Sequence, residues 1–165
     1  MTYTATNPAT ILNNQAVDVT SVTARFQRLS TDDKLGLLWV AYTEIGRSIT
    51  PAATGAARLQ FAEGILNQVK QMSQDEQLKF MRDLVKKVST PITRAYGTLT
   101  NNTKLAFWYQ LAELMESGVV IPVPPYYKLT QEANNALVAI QNLDFNQQIT
   151  VLRNAVVDMG VDPLA

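Results

Sequence analysis

Two helical segments place aromatic side chains where they could hold a flat, apolar ligand. The segment "DKLGLLWVAYTEIG" (33–46) carries Trp39 and Tyr42 three residues apart, so they share one helix face. The segment "KLAFWYQLAELMESG" (104–118) carries Trp108 and Tyr109 as neighbours, which point about 100° apart on a helix. Indole and phenol rings stack on flat conjugated molecules, but they also fill ordinary helical cores. The residues alone leave both interpretations open.

The composition excludes most catalytic and metal chemistry. The 165-residue chain has no histidine and no cysteine. Thiolate metal centres, disulfides and thiol nucleophiles are therefore excluded, and the commonest general base near neutral pH is missing. Fourteen basic residues balance fourteen acidic ones, which argues against nucleic-acid binding. We predict no enzyme, although a catalyst made of carboxylates, lysine and tyrosine stays open as an alternative.

Two acidic pairs could suggest metal binding or acid–base catalysis. Asp32 and Asp33 form one pair, and Asp75 and Glu76 form the other. Both pairs lie in the first turn of a predicted helix, where the helix dipole favours negative charge. We therefore interpret them as structural.

Other side chains allow two interpretations each. Arg153 lies in the apolar stretch "ITVLRNAVV", where it is either a solvated arginine or one that faces a partner. Met81 and Met115 lie on helical stripes and suit either a core or an apolar ligand site. The stretch "VVIPVPPYY" (119–127) has too many prolines for a helix, and its Tyr126 and Tyr127 could wall a pocket.

Apolar residues recur with helical spacing nearly throughout, which predicts an all-α fold. We predict six or seven main helices, with a loose N-terminal arm over residues 1–19 and one helical domain over 20–165. Helix starts are marked by capping patterns such as Ser73 with Glu76 and Asp144 with Gln147. No signal sequence and no apolar stretch of membrane-spanning length occurs, so we expect a soluble, intracellular protein.

Four stretches closely resemble the N-terminal domain of the cyanobacterial orange carotenoid protein family. They are "ARFQRLSTDDKLGLLWVAYTEIG", "TKLAFWYQLAELMESG", "IPVPPYYKL" and "QQITVLRNAVVDMG", and the resemblance runs from about residue 20 to residue 160. Because the chain stops at Ala165, it is similar to the helical carotenoid proteins, the stand-alone relatives of that domain. The resemblance implies two interleaved four-helix bundles and a bound ketocarotenoid such as canthaxanthin or echinenone.

The resemblance also implies roles for individual residues. Trp39, Tyr42 and Trp108 match aromatic residues that, in the family, contact one end ring of the carotenoid and the adjacent polyene. Arg153 and Asn102 match residues that face a partner. Further positions match the lining of the carotenoid tunnel: Leu35, Leu38, Gly55, Met81, Leu105, Tyr109, Met115, Val123, Pro124, Tyr127, Ile149 and Val156.

The function implied by the resemblance is non-enzymatic photoprotection. The pigmented protein would quench singlet oxygen, phycobilisome excitation or both, without the light switch of the two-domain relatives. The alternative is a carotenoid carrier that docks on an antenna complex or on a partner like the family's C-terminal domain. We expect a cytoplasmic monomer or weak homodimer, associated with phycobilisomes at the thylakoid surface. Pro51 and Arg82 depart from the family pattern, which has apolar or small residues there.

Overall fold

The computed structural model describes the backbone of residues 8–45 and 59–164, and the side chains of 18–45 and 62–164. The described residues form eight helices and no strand, which confirms the all-α prediction and exceeds the predicted helix number by at least one. The helices are α1 (Pro8–Gln27), α2 (Thr31–Ile45), α3 (Leu59–Gln71), α4 (Gln74–Lys86), α5 (Pro91–Gly97), α6 (Asn101–Glu116), α7 (Gln131–Gln141) and α8 (Phe145–Val157).

The N-terminal region differs from the expectation of a loose arm. Helix α1 begins at Pro8 and crosses the predicted boundary at residue 20 without a break. Proline suits a first helical position because the missing amide proton has no acceptor there anyway. The apolar signal that we used began only at Val22, which is buried, so the first half of α1 was missed. The division into an arm and a domain stays a prediction.

Side-chain caps fix most helix starts where the sequence predicts them. The pairs Ser73/Glu76 and Asp144/Gln147 both form complete capping boxes. The short helix α5 has Thr90 as its cap and Pro91 at its first position. Lys87 is the residue after the last turn of α4 and adopts a left-handed conformation, with φ of 58°. None of the described helices combines the length and apolarity that crossing a bilayer requires.

The helices form two four-helix bundles that are nested in chain order, as the resemblance implies. Helices α1, α2, α7 and α8 pack together, and the consecutive helices α3 to α6 form the second bundle. Helices α2 and α6 join the bundles, since α2 also packs on α4 and α6, and α6 packs on α8. The central α6 is apolar on several sides because it faces both bundles. Its Phe107 is fully buried and makes edge-to-face ring contacts with Phe80, Tyr96 and Trp108.

Candidate ligand-binding groove

A groove of about 290 Å³ lies where α2, α4 and α6 meet the non-helical segment 117–130, which we call the wall loop. Its lining is mostly apolar and aromatic, and Tyr126 at its rim is 83% exposed. From Asp32 to Tyr42 the groove follows α2 for about 15 Å, at 1.5 Å per residue. The lining residues are Asp32, Leu35, Gly36, Leu38, Trp39, Tyr42, Leu78, Met81, Arg82, Trp108, Ala112, Met115, Ile121, Pro122, Val123, Pro124, Tyr126 and Tyr127.

The polar atoms of two groove aromatics are already satisfied inside the protein. The Tyr42 hydroxyl donates to the Leu105 carbonyl at 3.2 Å, and burial raises the pKa of Tyr42 well above its usual value. Trp108 Nε1 donates to the Tyr96 hydroxyl at 3.0 Å, which in turn donates to the Val156 carbonyl at 2.6 Å. These bonds fix the orientation of both rings and leave only their apolar faces for the groove. Both rings are therefore part of the core and also line the groove.

The start of the wall loop is held by one buried glutamine. Gln77 on α4 donates from Nε2 to the carbonyls of Val69 and Val119, at 3.0 and 3.2 Å. Its Oε1 accepts from the Ile121 amide at 2.9 Å. The side chain is 2% exposed and uses both ends of its amide. It thereby fixes the loop between α6 and the prolines, where helical hydrogen bonds are absent.

The end of the wall loop is held by a buried carboxylate. Asp33 on α2 accepts from the Tyr127 hydroxyl at 2.7 Å, and it also accepts a short hydrogen bond from the Thr130 hydroxyl. Burial alone would raise the pKa of Asp33, but hydrogen bonds from Thr130, Tyr127 and Ser30 outweigh it and hold the pKa below its usual value. Burial and the bond to Asp33 raise the pKa of Tyr127 to about 12.

Gly36 allows α2 and the wall loop to approach closely. A Cβ atom at this position would lie 3.0 Å from Leu129 Cδ2 and 3.1 Å from Tyr127 Cε1. Both distances are shorter than ordinary van der Waals contact, so a larger residue would require the Leu129 and Tyr127 side chains to shift by a few tenths of an ångström. The absence of a side chain at Gly36 therefore sets the distance between the two walls of the groove.

An arginine–aspartate pair lies at the outer end of the groove. Arg82 on α4 donates to both carboxylate oxygens of Asp32 on α2, from Nε at 2.9 Å and from Nη2 at 3.1 Å. This two-point geometry fixes the plane of the guanidinium, and the hydrogen bond raises the pKa of Arg82. The same two residues also line a shallow polar depression with Ser30, Thr31 and Lys86. The pair therefore separates the apolar groove from a polar surface.

The groove brings together ten of the fifteen residues that the sequence assigns to the ligand site. They are Leu35, Leu38, Trp39, Tyr42, Met81, Trp108, Met115, Val123, Pro124 and Tyr127. Four others do not line it, and Gly55 lies outside the described residues. Leu105 and Val156 are buried next to its inner end, where their carbonyls bond Tyr42 and Tyr96. Tyr109 and Ile149 are half-buried elsewhere in the packed core.

The two predicted partner residues lie away from the groove. Asn102 is exposed in the first turn of α6. Arg153 is half-buried on α8, and its Nε atom is buried with no hydrogen-bond partner in the described part of the chain. The side chain is therefore not freely solvated at its base, and a partner-facing role stays a prediction.

Several residues that build the groove were missed at the sequence level. Gln77 and Asp33 hold the wall loop, Gly36 makes room for it, and Asp32 and Arg82 close its outer end. Gln77 occupies a position of α4 that faces the core, and a polar residue on such a face was the available signal. No group of three or more acidic side chains that could hold a metal occurs among the described residues. The arrangement suits binding of an elongated apolar molecule.

Comparison with known proteins gives a consistent result. The family described as "Orange carotenoid protein, N-terminal" matches residues 12–162. An "Orange carotenoid-binding domain-containing protein" from Nostoc sp. is 64% identical over 147 residues, covering 89% of this chain and 86% of that protein. The chain covers only 47% of each of two curated orange carotenoid-binding proteins, so it spans about half of their length.

Solved structures from Anabaena (Nostoc) sp. show the same fold. The Orange Carotenoid Protein binding canthaxanthin is 52% identical, with a TM-score of 0.81 over 88% of this chain and 47% of that one. The Red Carotenoid Protein binding canthaxanthin is 38% identical, with a TM-score of 0.77 over 86% of this chain and 97% of that one. With its fold and nearly its whole length matched, the chain belongs to the orange carotenoid protein N-terminal domain family.

Proposed function

We propose that this chain binds a ketocarotenoid in the groove and serves as a non-enzymatic photoprotective protein. The observation that carries the proposal is the groove itself, in which apolar walls surround the faces of Trp39, Tyr42 and Trp108. The relatives with solved structures bind canthaxanthin. Burial of apolar polyene surface against such walls is favourable by about 25 cal/mol per Å².

The residues present fit such a pigment. Hydrogen bonds within the protein already satisfy the hydroxyls of Tyr42 and Tyr127 and the indole nitrogen of Trp108. A bound apolar chain therefore leaves none of these three groups without a partner. A groove of about 290 Å³ is at the low end of the roughly 300–1,000 Å³ typical of ligand pockets. Its length of about 15 Å along α2 suits one end ring and the adjoining part of a polyene.

A bound conjugated polyene supplies the photochemistry, because it accepts energy from singlet oxygen or from excited bilins and releases that energy as heat. The protein's own residues bind and orient it and exclude water. Trp108 is held by Tyr96, and the wall loop is held by Gln77 and Asp33, so the groove surfaces are fixed before a ligand enters. Such preorganisation reduces the entropy lost on binding.

Reconstitution with pigment tests this function. The purified full chain, mixed with canthaxanthin, should give a red-shifted band that co-elutes with the protein and protects a dye from singlet oxygen. Trp108→Ser should keep the helical circular dichroism but lower pigment occupancy by about tenfold, because one ring face is lost. Phe145→Ser serves as the matched control, since Phe145 is an exposed aromatic residue outside the groove. Equal occupancy in wild type and Trp108→Ser would overturn the site, and no pigment in wild type would overturn the function.

A second proposal concerns docking on a phycobilisome or on a carotenoid protein that resembles the family's C-terminal domain. The half-buried Arg153 supports it, because its guanidinium makes no hydrogen bond or ion pair with the described residues, and an acceptor on a partner would supply one. Asn102 would contribute to the same function, and the pigmented protein would work beside thylakoid antenna complexes. Arg153→Leu should keep its colour but lose phycobilisome binding in co-sedimentation, with Arg94→Leu as control. Docking that survives the Arg153 change would refute this role.

A further inference from the structure

The outer end of the groove carries a charged donor in an otherwise apolar lining. Among the described lining residues, only Asp32 and Arg82 are charged. The Tyr42, Tyr127 and Trp108 donors are used inside the protein. Arg82 uses Nε and Nη2 on Asp32, and Nη1 makes no hydrogen bond within the described residues. One fixed guanidinium therefore has unused donors at the place where a linear ligand lying along α2 would end.

We propose that Arg82, positioned by Asp32, recognises the ring ketone of the pigment and makes this chain select ketocarotenoids over carotenes. The inference rests on the proposed function and deepens it. A conjugated ketone oxygen is a good acceptor, and a guanidinium is a charge-assisted donor. The Asp32 carboxylate fixes one edge of the Arg82 guanidinium, and Nη1 remains available to a ligand in the groove. A ring ketone bound there would place the adjoining polyene beside Trp39 and Tyr42.

The position of the pair supports a ring rather than a chain segment as its neighbour. Arg82 and Asp32 have side chains that are 41% and 46% exposed, and they line both the groove and the polar depression beside it. An apolar polyene carbon there would meet charged groups without compensation. A ring that ends in a ketone instead presents its polar atom to a charged donor, the guanidinium that Asp32 holds in place.

A competition experiment tests the inference. Wild type, Arg82→Leu and the control Arg94→Leu are each loaded from an equimolar mixture of canthaxanthin and β-carotene, and the bound pigments are extracted and quantified. Arg94 is an exposed arginine on α5 that bonds Ser89 and does not line the groove. We expect Arg82→Leu to reduce the preference for canthaxanthin by about threefold to tenfold, while Arg94→Leu leaves it unchanged.

A second measurement separates recognition from a merely structural role. The absorption maximum of the canthaxanthin complex should move to shorter wavelength in Arg82→Leu, because the ketone loses a charged donor, whereas the β-carotene complex should not move. Equal loss of both pigments, or an unchanged ratio and spectrum, would overturn the inference. Failure of wild type to bind either pigment would instead reject the proposed function on which the inference rests.

Discussion

The two ends of the wall loop are held by side chains of similar size and different charge. At the start, Gln77 forms three hydrogen bonds with backbone groups of Val69, Val119 and Ile121. At the end, Asp33 accepts from the side chains of Tyr127 and Thr130. Both anchors are 2% exposed. The amide suits a backbone that offers acceptors and a donor together, whereas the carboxylate suits a place where only donors converge.

This difference means that one anchor responds to pH and the other does not. Because the folded-state pKa of Asp33 is lowered, its stabilising contribution is complete above the unfolded value near 3.8. That contribution disappears as the pH falls through the lower folded-state pKa. The Gln77 anchor has no titrating group and should contribute equally at every pH. Acid should therefore loosen the tyrosine end of the groove before the proline end.

The largest effect is expected from removing the neutral anchor. Gln77→Ala removes three hydrogen bonds of a buried side chain: the Val119 carbonyl and the Ile121 amide lose this partner, and the Val69 carbonyl keeps only the Met72 amide. It should lower the free energy of unfolding by about 3 kcal/mol, measured by urea denaturation followed by circular dichroism. The loss should be the same at pH 7 and pH 4.5. Gln141→Ala is the matched control, because the exposed side chain of Gln141 bonds Glu44, whereas Gln148 bonds its backbone carbonyl. The substitution should change the free energy of unfolding by about 0.5 kcal/mol or less.

A loss in Gln77→Ala no larger than that of Gln141→Ala would show that the wall loop does not depend on this anchor. In that event the start of the loop would have to be fixed by the remaining bond from the Val120 amide to the Leu114 carbonyl.

A smaller, pH-dependent effect is expected from neutralising the charged anchor. Asp33→Asn keeps an acceptor but loses the charge that strengthens the bonds from Tyr127 and Thr130. It should lower the free energy of unfolding by about 1–2 kcal/mol at pH 7. The gap between wild type and variant should shrink as the pH falls below 3.8, because the wild-type carboxyl is then protonated as well. Urea titrations at a series of pH values measure both.

The exposed Asp75 of α4 provides the control, since Asp75→Asn removes the same charge without a buried network. A gap between wild type and Asp33→Asn that stayed constant down to pH 2.5 would refute the carboxylate anchor.

The sequence predicted the helices well because their ends are encoded locally. Ser73, Thr130 and Asp144 each cap the helix that follows, and such short-range signals need no knowledge of the fold. The start of α1 was missed because the apolar spacing was followed only from Val22 onward. The residues on α2 and the wall loop that line the groove were named through the family resemblance, and their role as ligand contacts stays a prediction.

The roles of Gln77 and Asp33 could not be predicted, because each depends on partners that are distant in the sequence. Asp33 stands in a helix first turn, where the dipole explains an acidic residue without any loop bond. Its partners Tyr127 and Thr130 follow more than ninety residues later. At the sequence level, Arg82 stood out only as a departure from the family pattern. Its partner Asp32 lies on another helix, 50 positions earlier in the chain.

The nested order of the two bundles has a consequence for synthesis of the protein. Helix α1 packs on α7 and α8, which are made only after α3 to α6 have been synthesised. At about 5–20 residues per second, the apolar face around Phe26 waits on the order of ten seconds for its partners. The bundle of α3 to α6 needs no later helix, whereas the bundle of α1, α2, α7 and α8 is completed only at the end of synthesis. Chaperone capture during this interval should therefore fall on the first helices made.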